Sequence, residues 1–204
     1  MKIGKAIPAG ERLFGLGLLL CLLYLSAAGQ INEPQHHLSE YTIVQYHIPR
    51  GQHYVKQRKL KWVNTNHLKF VARFDNSAIY RTIDPRNQLD INKLYGFSEG
   101  LDHQFNSARF GWRFSNDSVR LFAYVYANGK RSVAEICTVP LNEPIQCSIK
   151  VFPTAYLLSA GNNQVQMERG VASPIAKGFL QYPYFGGNET APHDVYISIG
   201  TFSK

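Results

Sequence analysis

The stretch NSARFGWRFSNDSVRLFAYVYANGKR, residues 106–131, alternates its apolar and polar side chains with a period of two and carries its own turn signals, so it reads as three antiparallel strands. Pairing Phe114 with Val119 across a four-residue loop, residues 115–118, sets Trp112 against Leu121, Phe110 against Ala123 and Ala108 against Val125. That face is apolar throughout. Phe110, Trp112, Phe114, Leu121 and Val125 are therefore expected in a core. The opposite face sets Arg113 against Arg120, Gly111 against Phe122 and Arg109 against Tyr124, the glycine leaving room for the ring across from it. Asn128-Gly129 supplies the positive φ angles of a type I′ turn and brings Tyr126 opposite Arg131.

Outward from this stretch the chain keeps the same character. Residues 41–48, YTIVQYHI, suit a strand, and the basic run 53–61 that follows reads as a solvated edge or loop. Leu68, Phe70, Ala72 and Phe74 alternate with more polar neighbours, and Asp75-Asn76 supplies a turn that predicts a second hairpin with residues 78–83. Residues 84–103 lack alternation and read as a long crossing loop with a short helical turn. Beyond the central stretch come strands at 145–151, 155–160 and 164–169, the aromatic and glycine-rich segment 178–187, and a last strand at 195–199. Outside the leader no segment has a helical period. Short strands at regular spacing predict an all-β fold, a two-sheet antiparallel β-sandwich formed as one domain over residues 41–204.

Before that domain, Lys2, Lys5 and Arg12 precede an apolar run, residues 13–25, and then the small residues Ser26, Ala27, Ala28 and Gly29. This is the order of a secretory signal peptide, with cleavage near Gly29, a flexible lead-in over 30–40 and no transmembrane segment left in the mature chain. Leu20 before Cys21 departs from the lipoprotein pattern, so lipidation is not expected. The whole chain carries a formal charge of +8, and the mature part about +6, which suits anionic partners without naming one. Export to a secreted, periplasmic or envelope location leaves Cys137 and Cys147. If Val139 pairs with Ile145 around residues 140–144, these two face each other and permit a cross-strand disulfide. That register also carries Ile149 and Val151 onto the face of Phe122 and Tyr124, which requires either a sheet covered on both sides or a bulge.

Chemical signatures are sparse. Asp90, Asn92, Glu99 and Asp102 are oxygen ligands, but their spacing matches no EF-hand loop, and His36-His37 lacks further ligands, so no metal or cofactor is expected. No Gly-x-Ser-x-Gly elbow is present. The arginine-bearing strand, the Tyr-rich strand, the Asn-Gly hairpin and the late hairpin at Gly161 together resemble the concanavalin A-like jelly-roll superfamily of lectins, glucanases and polysaccharide lyases. The resemblance runs from about Tyr41 to Phe202 and implies two curved sheets, with sugar binding on one face in many members. A retaining glucanase of that superfamily needs two carboxylates on one strand face, which no strand here provides. Alginate-lyase-like members carry an arginine strand, a Gln-x-His strand and a Tyr-rich strand. Arg109, Arg113 and YPYFGG match the first and last of these, while Gln45-Tyr46-His47 lies too early for the second.

Binding is the reading that remains. Arg109, Arg113, Tyr124 and Tyr126 on one surface would form a platform for an anionic sugar, with rings stacking and guanidinium groups donating to carboxylates. Tyr182 and Tyr184, beside Phe185, form a second aromatic cluster. The expected function is a non-catalytic carbohydrate-binding or envelope-associated module whose partner is a polysaccharide, an acidic one by the charge, and not nucleic acid. A polysaccharide lyase or glycoside hydrolase is the alternative, and a structural or protein-binding surface protein a further one.

Overall fold

The computed structural model describes residues 41–202; the proposed leader and lead-in lie outside the described residues. Twelve strands form two antiparallel sheets of six. They are β1 (Tyr41–Ile48), β2 (Trp62–Thr65), β3 (His67–Phe74), β4 (Asn92–Glu99), β5 (Ser107–Ser115), β6 (Ser118–Ala127), β7 (Lys130–Val139), β8 (Ile145–Val151), β9 (Ala155–Ala160), β10 (Asn163–Glu168), β11 (Ala176–Gln181) and β12 (Val195–Phe202). The first sheet runs β1-β12-β3-β8-β9-β10 and the second β2-β11-β4-β5-β6-β7. The expected antiparallel β-sandwich is the fold of the described residues.

The central hairpin has the expected register at every pair, from Ala108 opposite Val125 to Phe114 opposite Val119. Ser115 also pairs with Ser118, so the loop is the two-residue turn Asn116-Asp117, with φ of 52° and 53°, rather than four residues. Asn and Asp tolerate that left-handed backbone, and its twist matches the strands it joins. Asn128-Gly129 turns in the same way. Phe110, Trp112 and Leu121 are fully buried between the sheets. Trp112 packs on Phe74 of the facing sheet, on Tyr80 and on Phe185, with ring centroids 5.3, 5.8 and 6.4 Å away.

Three expectations are corrected. Residues 78–83 form no strand: a short 3-10 turn, Asn76–Ala78, follows β3, whose sheet neighbours are β12 and β8. The segment read as a crossing loop does contain a 3-10 turn, Pro85–Leu89, but continues into β4, an interior strand of the second sheet. Leu94, Tyr95 and Phe97 in it are buried, and no alternation shows because both faces of the strand are covered. Finally, β7 and β8 do not pair. They belong to opposite sheets, so Cys137 and Cys147 are not cross-strand neighbours, and both are free thiols. Burial, and then Cys137 nearby, push the Cys147 thiol far up and keep it protonated. The conflict over the outer face is resolved by a bulge in β7 at the Leu121/Phe122 step, together with the move of β8 to the other sheet.

Candidate functional site

A row of residues facing outward from the second sheet builds the site. Gln181 of β11 stands opposite Gly96 of β4, Gly96 opposite Arg109 of β5, Arg109 opposite Tyr124 of β6, and Tyr124 opposite Val133 of β7. At Gly96 any side chain would overlap the backbone of Ala108 and Arg109. Glycine there is what lets β4 and β5 approach this closely beneath Arg109. In the next row Lys93 stands opposite Gly111, and its ammonium lies 4.6 Å from the Tyr124 ring centre. The Arg109 guanidinium lies 5.3 Å from the same ring.

The cleft is walled by two segments from elsewhere in the chain. Residues 182–187 are laced to β4, with Lys93 N donating to Tyr184 O at 2.8 Å and Tyr184 N to Lys93 O at 3.0 Å. Gly186 N donates to Asn92 Oδ1 at 2.7 Å. Gly187, with φ of 82°, turns the chain away above Asp90, where a side chain would collide with the carboxylate. The basic loop then packs on this segment: His53 stacks on Tyr184 at 5.2 Å, Tyr54 meets it edge-on at 4.9 Å, and Arg58 lies 4.4 Å over Tyr54. The cavity enclosed measures about 450 Å³.

Five of the six residues read from the sequence line this one cavity: Arg109, Tyr124, Tyr126, Tyr182 and Tyr184. The two aromatic clusters thus line a single cavity. Arg113 does not join them, because its guanidinium donates to Leu89 O at 2.9 Å and to Ser115 Oγ at 3.3 Å and lies over Phe122. Lys93, His103, Gln181, Tyr54 and Arg58 are lining residues that sequence reasoning missed. For Lys93 the missing signal was β4 itself. Arg58 sat in a basic run of a kind usually solvated. The four oxygen ligands considered for calcium are dispersed: Glu99 binds Arg169, Asn92 accepts from Gly186 and donates to Tyr80, Asp90 accepts from Asn188, and Asp102 accepts from Gln104 N.

The electrostatics of the cleft are one-sided. Arg109 is only 6% exposed, and its Nε has no hydrogen-bond partner among the described residues. Burial pushes its guanidinium down from the ordinary value, yet a guanidinium stays charged at any physiological pH. Burial likewise pushes the Lys93 ammonium down, and the charge of Arg109 adds to the effect. Burial alone would push the Tyr124 phenol up; Lys93, hydrogen bonding with Arg131 and Tyr126, and the charge of Arg109 outweigh it and bring the phenol below its ordinary value. His103 is pushed down by burial and then by Arg109, so it is neutral at neutral pH. Among the described residues the lining holds no Asp or Glu. The arrangement is a half-buried cationic pocket with tyrosine walls and no anion of its own.

No family model and no curated protein matches the chain. Among solved structures it is similar to the alginate lyase AlyC3, at 13% identity over 80% of this chain and 73% of that one, with a TM-score of 0.47. It is also similar to a prokaryotic β-1,3-1,4-glucanase (lichenase) derived from a mouse hindgut metagenome, at 10% identity over 78% and 79% of the two chains and a TM-score of 0.45. A carbohydrate-binding module from Bacillus subtilis matches at 9% identity over 81% and 94%, with a TM-score of 0.36.

Proposed function

We propose that the protein is an exported carbohydrate-binding module whose cleft on the second sheet holds a segment of an acidic polysaccharide. The observation that carries this reading is Arg109: a buried cation with an unpaired Nε, beside the half-buried ammonium of Lys93, which donates to Ile91 O at 2.7 Å, in a pocket without a carboxylate. A buried charge is costly unless something compensates it, and the compensation this pocket accommodates is an anion brought by a ligand. Tyrosines 124, 126, 182 and 184 supply faces and hydroxyls for sugar rings, while Arg109 and Lys93 face the carboxylates. A glycan array spanning neutral glucans, polymannuronate, polygalacturonate and sulfated glycans tests it. The expected result is retention of acidic glycans that weakens with salt, together with a loss of about 10-fold to 100-fold in affinity for Arg109→Ala, in line with losing a charged hydrogen bond. Retention of neutral glucans alone would overturn the reading.

Tyr124 favours a second reading. A phenol held below its ordinary value beside Lys93 and Arg109 is suited to take the proton next to a uronate carboxylate whose charge those cations neutralise, the chemistry of a polysaccharide lyase. Release of unsaturated uronate ends from polymannuronate or polygalacturonate, lost in Tyr124→Phe, separates catalysis from binding alone. A two-carboxylate hydrolase has less support, since the lining lacks the pair it needs.

A further inference from the structure

A second cavity lies where the chain passes from one sheet to the other. β2 and β3 are separated by Asn66 alone but lie in opposite sheets. Thr65 fastens this corner, its Oγ1 accepting from His67 N and donating to His67 O, each at 3.0 Å. The cavity beside the corner measures about 610 Å³. Its wall includes Trp62, 59% exposed on the edge strand β2 and held edge-on against Phe179 with centroids 5.2 Å apart. A large ring that is fixed on one side and open on the other is a stacking platform. Lys61, Asn64, Thr65 and Lys69 stand around it.

His67 supplies an independent observation. It lies directly opposite Lys150 of β8, on the strand face that also carries Lys69, and it lines both this cavity and a smaller one, about 260 Å³, that includes Lys150. Its Nε2 is buried and has no hydrogen-bond partner among the described residues. Burial, then Lys69 and Lys150, push the imidazole below its ordinary range and hold it neutral. None of Lys61, Lys69 and Lys150 meets a carboxylate among the described residues. A solvated basic surface explains lysines, but not an unsatisfied imidazole between two of them beside an open tryptophan.

We propose that this corner is a second site for an anionic glycan, in which a sugar ring stacks on Trp62 and its acid group lies among His67, Lys69 and Lys150. Hydroxyl and amide side chains around the tryptophan, Asn64 and Thr65 among them, favour sugar over an acyl chain or a nucleobase. The corner site stands on its own residues. The consequence that one molecule engages two chain segments rests on the cleft reading as well, and two weak sites on one polymer gain by avidity.

Calorimetry with defined hexasaccharides of mannuronate, galacturonate and a sulfated glycan tests the proposal on the full chain. Two glycans bound per molecule are expected, with Trp62→Ala and the pair Lys69→Glu, Lys150→Glu each reducing the count to one and leaving the cleft intact. In Arg109→Ala the remaining glycan should still bind at the corner. One glycan per molecule, unchanged by Trp62→Ala and abolished by Arg109→Ala, would overturn the corner site while keeping the cleft. Binding abolished by Trp62→Ala and unaffected by Arg109→Ala would retain the corner and overturn the cleft. A corner that takes up anionic vesicles or single-stranded DNA, but no hexasaccharide, would also overturn the proposal. Trp62 is largely exposed, so an unchanged thermal midpoint in Trp62→Ala is expected and keeps loss of binding distinct from unfolding.

Discussion

Arg109 and Lys93 should respond differently to pH, and that difference tests the binding role proposed for each. Burial lowers the Lys93 ammonium from an ordinary lysine value of about 10.4, whereas the guanidinium keeps its proton throughout. Lys93 therefore loses its charge, as pH rises, earlier than an exposed lysine does. Tyr124, also lowered, gains a negative charge over the same alkaline limb. Both changes oppose an anionic ligand, so affinity for acidic glycan should be full at neutral pH and fall on the alkaline side below the ordinary lysine range. Affinity electrophoresis across pH checks this. The fall should move to higher pH in the double variant Lys93→Arg, Tyr124→Phe, and an identical profile for wild type and variant would remove both groups from the binding site.

At the scale of elements, the central hairpin was legible because one of its faces is apolar without interruption and both turns carry residues that accept positive φ. Five lining residues followed from that stretch and from YPYFGG, but their meeting in one cleft did not. It depends on β4, which brings residues 182–187 against the sheet by paired backbone bonds. A strand buried on both faces has no alternation to read, so β4 and Lys93 were hidden together. The strand expected at 78–83 failed for the opposite reason: the turn signal after β3 was real, but β3 found its partners far away in sequence. Trp112 joins these elements, since its ring touches Phe74, Tyr80 and the Phe185 that anchors the cleft wall. Trp112→Ala should cost about 3–5 kcal/mol in denaturant unfolding, and it should also loosen glycan binding. A loss below about 1 kcal/mol would place the tryptophan outside the cooperative core.

Across the whole molecule, the two sheets are joined by a buried ion pair as well as by apolar packing. Arg169, just after β10, donates through Nη2 to Glu99 Oε2 of β4 at 2.6 Å and through Nε to Oε1 at 2.7 Å. Tyr156 of β9 donates to the same carboxylate, and the two charged side chains are 0% and 4% exposed. Glu99→Ala should destabilise by about 3–5 kcal/mol, because it strands the guanidinium, and adding Arg169→Met should recover part of that loss in a thermal or urea melt. The first sheet adds a constraint of a different kind. Among the described residues β1 has a single neighbour, β12, with Tyr41 opposite Phe202. Deleting residues 195–204 removes the strand that pairs with β1 among the described residues and splits β1 from β3, so the truncated chain should show no cooperative melt. The ribosome makes β1 long before β12, so the first sheet cannot close until β12 has emerged. A pairing between strands so far apart in sequence carries a large loop-closure cost, so the β1–β12 edge should be among the last parts of the first sheet to form.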